Sequence, residues 1–526
     1  MGRIDLNLIS ERIRSGQEIT ELDLSHIRRY HDECSPGEAD CVPEAVWADL
    51  NMDEVFSRIN TTYSAVGAQY LYRQMHLYRR GQSFPPTRFS VFRKFQNNTA
   101  AANRFAKILL RLRGAGSAYI SRVLLGKLPE KPVYFPLIVL LSLLFIASIA
   151  GLVFMGKQYV LVVIAMAAVN VVVSQVISFR ISSFIPDFGS LGRMLGVAAS
   201  LADTGETGFE EIAVLHRKKS FIRHLQKKFG WLLADTSRMD DLSASVVAYV
   251  NNLLLVNLIV FFSAAKYVKM HRKELTEIYE AIGSLDATMA VAGYQFRRSC
   301  CCPEIVDEDK VEVVSMYHPV LEEPVSNSFS LTDHSCLITG SNMAGKTTFI
   351  KTIGVNMILS ETLGICHAES AVIPSVTVLS TIRRRDDLGH GKSYYYVEIE
   401  SILEFIKKAD SGSRFLFLID EIFRGTNTTE RLASSTAVLK YLGERSMVLV
   451  TTHDIELENM LGEKYKMFHF QEQIEDGHHF FDYRIKPGPC RSRNAIRLLE
   501  LAGYPAEIIH EANSLSKQLF RERHAM

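Results

Sequence analysis

Two uncharged apolar runs lie back to back in the middle of the chain and limit what can be built around them. Val133 to Met155 (VYFPLIVLLSLLFIASIAGLVFM) and Tyr159 to Phe179 (YVLVVIAMAAVNVVVSQVISF) contain no Asp, Glu, Lys or Arg. At about 1.5 Å rise per residue, each can cross the roughly 30 Å hydrocarbon core of a bilayer. Only Gly156, Lys157 and Gln158 separate them, too few for a domain, so residues 132–180 are expected to form a hairpin that returns the chain to the side it left. Arg122, Lys127 and Lys131 precede the hairpin and Arg180 and Arg193 follow it, against a single Lys157 in the turn. That asymmetry orients both flanks to the cytoplasm. The expectation is a multi-pass protein of the inner or cytoplasmic membrane with both termini cytoplasmic. The competing reading is a helical hairpin buried in a large soluble core.

A third apolar stretch, Val246 to Ala265, is interrupted by Asn251, Asn252 and Asn257, whose amides would need partners in lipid. A third crossing would also put the two flanks on opposite sides, so this stretch is expected to be a buried or membrane-surface helix.

The 526 residues allow about three domains, and the net charge of +1 lacks the basic footprint of a dedicated nucleic-acid binder. The eight cysteines show no zinc-ligand spacing and are read as reduced thiols. No apolar signal region appears in the first twenty residues. Asn51 to Arg79, Phe184 to Phe229 and Lys266 to Met289 carry helical periodicity, and Arg297 to Asp309 has the look of a linker.

From Val311 the texture changes. SCLITG, FLFLIDE and SMVLVTTHD are apolar or β-branched runs ending in polar turns, separated by helical patterns, which predicts a mostly parallel sheet covered by helices. Gly340, Ser341, Asn342, Met343, Ala344, Gly345, Lys346 and Thr347 fit G-x-x-x-x-G-K-[ST] between such a strand and a helix that opens with Thr348. In that setting backbone N–H groups cradle phosphates, Lys346 reaches the β- and γ-phosphates, and the Thr347 hydroxyl ligates Mg²⁺. Asp420 and Glu421 end the FLFLIDE strand. Asp420 is expected to hold Mg²⁺ and Glu421 to orient and deprotonate the attacking water. His453, at the end of the next strand, is a candidate sensor of the γ-phosphate or the water.

In order and spacing, TGSNMAGKTT, RRRDDLGHGKSYYYVEIESIL, LIDEIFRGTNTTE and TTHDIEL resemble the four successive ATPase motifs of the MutS mismatch-repair family. The resemblance covers Val311 to Ala512, including the closing FDYRIKPGPCRSRNAIRLLELAGYPAEIIHEA, and DLNMDEVFSRINTTYSAVG is more weakly similar to the start of the family's helical core. It implies a P-loop ATPase of ABC type that uses ATP and Mg²⁺, with Asn342 at the terminal phosphate and His469 near the adenine. It also implies a homodimer with shared sites. In such a dimer Ser393, in the segment Asp386 to Ser393 (DDLGHGKS), reaches the partner subunit's nucleotide. Ser341 and Ala344 stand where the family commonly has Pro and Gly. Nothing near the N-terminus resembles the family's mismatch-reading domain.

The fold class expected is multidomain, α plus α/β. It begins with an N-terminal helical segment (1–44) and a helical core in two parts (45–131 and 181–300) split by the hairpin, and continues with the ATPase domain (311–513) and a tail (514–526). The function expected is a membrane-anchored ATPase coupled to mismatched or otherwise structured DNA. The alternative is a membrane switch acting on a protein or lipid partner.

Overall fold

The computed structural model describes residues 23–34, 40–78, 93–95, 97–206, 208–233, 249–250, 252–332, 335–340, 344–382, 394–475, 478–489, 496, 499 and 503–524. Its helices before residue 300 are α1 (Leu24–Cys34), α2 (Glu44–Asp49), α3 (Met52–Ile59), α4 (Ala65–His76), α5 (Thr99–Leu109), α6 (Ile120–Leu125), α7 (Phe135–Met155), α8 (Val160–Ile181), α9 (Ile185–Ala202), α10 (Glu210–Arg217), α11 (Lys219–Leu233), α12 (Val256–Met270) and α13 (Arg272–Arg297). Strands begin with β1 (Glu304–Val306), inside the stretch read as a linker, and continue with β2 (Lys310–Met316), β3 (Asn327–Thr332) and β4 (Ser335–Thr339). Then come α14 (Lys346–Leu363), β5 (Ser370–Pro374), β6 (Thr377–Thr381), α15 (Tyr394–Ala409), β7 (Phe415–Asp420), α16 (Thr428–Gly443), β8 (Met447–Thr451), α17 (Leu457–Leu461), β9 (Tyr465–Glu475), β10 (His478–Pro487) and α18 (Ala506–His524). The chain is a multidomain mixture of α and β in which helix predominates. It divides into two compact units, residues 1–39, 59–76 and 85–297 in one and residues 40–58, 77–84 and 298–526 in the other.

The first unit is helical. Its centre is a buried polar knot. Asp286 of α13 accepts hydrogen bonds from the backbone N–H of Tyr63 (2.9 Å) and Ser64 (2.8 Å) and from the Ser64 hydroxyl (2.5 Å). A side chain from a distant helix therefore serves the N–H groups that the start of α4 leaves without helical partners. Close approach makes this possible, because a Cβ on Gly67 would lie 2.2 Å from the Asp286 carboxylate and one on Gly283 would lie 2.6 Å from Tyr70. Tyr279 donates to the Gln69 side chain (2.5 Å), whose amide donates to the carbonyls of His26 (2.6 Å) and Ala118 (3.0 Å), tying α1 and α4 to the same centre.

The apolar runs form α7 and α8. Pro136 sits in the first turn of α7, where its missing N–H costs nothing, and Gly156, at φ 88°, ends the helix. Both helices are apolar on all sides, a pattern that suits deep burial or lipid. Within the unit they are not deeply buried: 22% of the most apolar window of Phe135–Met155 is covered, and 17% of that of Lys157–Ile181. The third apolar stretch is not one helix. Leu255 takes φ 53°, in the left-handed region that side chains rarely adopt, and α12 starts after it. The periodic segment Asn51 to Arg79 also breaks, into α3 and α4, and the break lies at the division between the two units.

The second unit holds two mixed sheets. One has the order β1-β5-β2-β3 and the other β10-β9-β4-β8-β7-β6. In the six-stranded sheet the pairings of β9, β4, β8, β7 and β6 are parallel and that of β10 with β9 is antiparallel. Helices α2 and α3 belong to this unit, although sequence grouped them with the helical core. The Asp49 carboxylate accepts from the Ser380 hydroxyl (2.7 Å) and the Ile382 N–H (3.0 Å) at the end of β6. Leu50 lies against α14 at Gly354, where a Cβ would come within 3.0 Å of it and 2.6 Å of Leu418.

Replacing Asp286 by Ala orphans three buried donors and is expected to cost roughly 2–4 kcal/mol, with Asp286→Asn costing less because its amide oxygen still accepts. Denaturant unfolding of the two variants checks both the loss and its order.

Candidate functional site

Parallel strands joined by helices bring their carboxyl ends to one edge of a sheet, and a site forms where several such ends meet. Thr451 of β8 pairs with Ile338 of β4 on one side and Asp420 of β7 on the other. The segments that follow β4, β7 and β8 therefore start at one level. Among them are Gly340, Glu421 and His453.

After β4 the chain turns at Gly340, whose φ of 135° is closed to ordinary residues and whose Cβ would lie 2.5 Å from the Phe470 carbonyl. Gly345, at φ 100°, leads into α14. Lys346 is buried, which an ammonium tolerates only with partners. Its Nζ donates to the Gly340 carbonyl and lies 3.3 Å from His453 Nε2. Thr347 donates to Asp420 Oδ2 at 2.9 Å, and Thr451 donates to Asp420 Oδ1. Asp420 is thus fixed between the first turn of α14 and the end of β8. A hydroxyl and a carboxylate held together form the hard-oxygen pair that suits Mg²⁺, which commonly binds through one or two protein oxygens with waters and phosphates completing its shell.

Glu421 leaves the strand in an unusual way. Its N–H still bonds the Thr451 carbonyl (3.0 Å), but its φ is 61°, and Phe423 follows at φ 57°. Two left-handed non-glycine residues this close store strain of about 1–3 kcal/mol each, a feature that concentrates at functional sites. The turn aims the largely buried Glu421 carboxylate at His453 Nε2, 3.1 Å away, and at the Arg424 guanidinium. Glu398 of α15 accepts from the Phe423 N–H and braces the turn. Arg431 holds Asp454, the neighbour of His453, by two bonds of 2.8 and 2.7 Å. Partial burial, with the Lys346 ammonium and the Arg424 guanidinium nearby, pushes the His453 pKa down to about 4. The ring is neutral near pH 7, so Nε2 serves one neighbour at a time: protonated it donates to Glu421, and unprotonated it accepts from the Lys346 ammonium.

Beside this cluster is a cavity of about 310 Å³ whose lining includes Val325, Asn327, Gly345, Thr348, Phe349, Phe470 and Tyr483. His469, adjacent to Phe470 on β9, is half-buried and its Nδ1 meets the Gly488 carbonyl at 2.9 Å. Ala344 is buried at the foot of the loop.

The structure thus brings together Gly340, Gly345, Lys346, Thr347, Asp420, Glu421 and His453. Ser341, Asn342, Met343 and the segment Asp386 to Ser393 lie outside the described residues. Sequence reasoning did not anticipate Thr451, Arg424, Glu398 or Arg431. Thr451 and Arg424 had a local signal, as the last strand residue before THD and as the residue three after Glu421; Glu398 and Arg431 act through helix packing that no spacing encodes.

Residues 336–520 match the family model for MutS domain V. The DNA mismatch repair protein MutS of Thermus aquaticus is 31% identical over 269 residues, 50% of this chain and 33% of that protein. That of Lactobacillus delbrueckii subsp. bulgaricus is 31% identical over 278 residues, 50% of this chain and 32% of that protein. That of Acetivibrio thermocellus is 27% identical over 300 residues, 54% of this chain and 34% of that protein. The chain spans about a third of the length of these curated relatives.

The lowered His453 pKa fixes the sign of a pH effect. Its folded value, about 4, lies below the ordinary 6.5, so protonation favours the unfolded chain. The stability that neutral His453 contributes is complete above about pH 6.5 and is lost as pH falls toward 4. Nitrogen NMR of the imidazole should show a neutral ring from pH 8 down to about 5; a midpoint near 6.5 would contradict the contacts described.

Proposed function

We propose, from the match of residues 336–520 to MutS domain V and the similarity of half the chain to MutS proteins, that this is a membrane-anchored ATPase of the MutS family. It would bind and hydrolyse Mg²⁺·ATP as a homodimer and couple that cycle to structured DNA. The observation that carries the ATPase reading is the convergence of Lys346, Thr347, Asp420, Glu421 and His453 on one sheet edge. Lys346, already buried beside the loop, would neutralise the β- and γ-phosphates. Gly340 and Gly345 leave room for backbone N–H groups to approach them, and Ser341, Asn342, Met343, Ala344 and Thr348 would complete the cradle. Thr347 and Asp420 would hold Mg²⁺, which would supply positive charge to offset the charge that develops on the phosphate oxygens. Glu421 would orient the attacking water and take its proton, and His453 would keep Glu421 turned toward it. The adenosine would occupy the cavity beside Phe470 and Tyr483, with His469 at the base end. Ser393 would reach the nucleotide of the other subunit.

Support for the anchor is the exposure of α7 and α8. A core hairpin would bury apolar surface that here faces outward, as at Leu161 (77% exposed) and Phe179 (86%). Helices of 21 and 22 residues match the thickness of a bilayer. With basic residues on the flanks, the termini and the ATPase domain would be cytoplasmic. The near-neutral charge favours a second reading, in which the nucleotide switch acts on a protein or lipid partner rather than DNA.

Glu421→Gln is expected to retain ATP binding and to lose turnover by about 10²-fold or more, whereas Lys346→Ala should lose binding. Unchanged turnover in Glu421→Gln would assign the proton transfer elsewhere. Mixing Ser393→Ala with Lys346→Ala should restore part of the hydrolysis if sites are shared between subunits. ATP hydrolysis by detergent-extracted protein should rise with mismatched or branched DNA at low salt and lose that stimulation as salt increases. Absence of DNA binding under all these conditions would favour the partner reading.

A further inference from the structure

Each apolar helix of the hairpin carries polar side chains that are buried: Ser142 and Ser148 in α7, Asn170 and Ser174 in α8. Ser148 bonds its own helix, at the Phe145 carbonyl. The other three converge on one short piece of chain. Ser142 donates to the Leu254 carbonyl (2.7 Å), Asn170 Nδ2 donates to the Leu253 carbonyl (2.7 Å), and Ser174 donates to the Asn252 side chain (2.9 Å). This piece lies immediately before Leu255, whose left-handed φ breaks the helix ahead of α12. Carbonyls at a helix break are those the ladder no longer serves, and in hydrocarbon they must find a partner.

The depth of these contacts can be read from register. The Phe135 ring, at the start of α7, lies 6.1 Å from that of Phe262. From Phe135 to Ser142 is seven residues forward and from Phe262 to Leu254 eight back, so α12 runs antiparallel to α7 and meets Ser142 about 10 Å beyond the level of Phe135. At the other end Lys269 reaches Glu130, before the hairpin begins, at 3.1 Å. The inner end of α12 is therefore apolar and deep, and its outer end carries Lys266 and Lys269 at the flank.

We infer that residues 252–265 form a third membrane element: the helix beginning at Val256 runs between the cytoplasmic flank and about a third of the bilayer's depth, and the residues just before its break at Leu255 are held at that depth by Ser142, Asn170 and Ser174. The inference rests on the membrane reading of the hairpin. It preserves the same-side flanks that a full third crossing would destroy. It also gives Asn252 a partner in Ser174.

The test uses the full-length protein reconstituted in phosphatidylethanolamine and phosphatidylglycerol vesicles with a phospholipid bearing a diazirine in its acyl chain. Peptide mass spectrometry then maps the adducts formed on irradiation. Adducts are expected on α7 and α8 and also on residues 253–262, with none on α4. Adducts on the hairpin but none on residues 253–262 overturn the inference and leave the anchor standing. A hairpin without adducts overturns the anchor itself. In the triple variant Ser142→Ala, Asn170→Leu and Ser174→Ala, adducts on residues 253–262 should fall about tenfold while those on the hairpin persist. Undiminished adducts there would overturn the holding role of the three bonds.

Discussion

The alignment of β4, β8 and β7 is the constraint on which the second unit depends. Thr451 stands opposite both Ile338 and Asp420, so a shift of one residue in either pairing would turn alternate side chains to the other face and separate Asp420 from Thr347. The alignment is guarded from several directions. Asp49 accepts from Ser380 and Ile382 at β6, the edge strand beside β7, and Gly354 lets α14 settle between Leu50 and Leu418. On the opposite side Phe470 of β9 has its carbonyl against Gly340. Residues far apart in the chain therefore set the position of the phosphate-binding motif, and local sequence supplies only its content.

That division explains what could be read in advance. The strands SCLITG, FLFLIDE and SMVLVTTHD were legible because each is a continuous apolar run with a polar end, and a sheet with helices on it is among the few structures able to bury them. Gly340 and Gly345 were legible because their positive φ is a local demand of the loop that glycine meets. The left-handed turn at Glu421 was not legible. It is held by the Thr451 carbonyl, by Glu398 bracing Phe423 and by the Arg424 guanidinium; the first two come from distant parts of the chain, and the third, three residues on, pairs with Glu421 only once the turn has formed. The antiparallel edge formed by β10 was missed for a related reason, since HHFFDYRIKP reads as mixed polar and apolar sequence until β9 supplies a partner. Likewise α2 and α3 share helical periodicity with α4, and periodicity records which face is covered without saying by what.

The same limit governs the apolar third of the first unit. Composition distinguished α7 and α8 from Val246 to Ala265 by counting asparagines, on the ground that amides in lipid need partners. The physical rule was sound, but composition cannot say whether a partner exists. Asn252 has one in Ser174, and the Leu253 carbonyl has one in Asn170. Ser142, Asn170 and Ser174, which look like interruptions of an apolar helix, therefore direct hydrogen bonds to the neighbouring segment, and the polar groups of the two elements are partners for one another. Had Leu255 continued the helix, residues 252–265 would present a straight apolar cylinder interrupted by the amides of Asn252 and Asn257, with its carbonyls committed to its own ladder rather than to Ser142 and Asn170. The left-handed residue makes those carbonyls available, so the break and the polar positions of the hairpin form one arrangement, and changing either leaves the other buried without a partner.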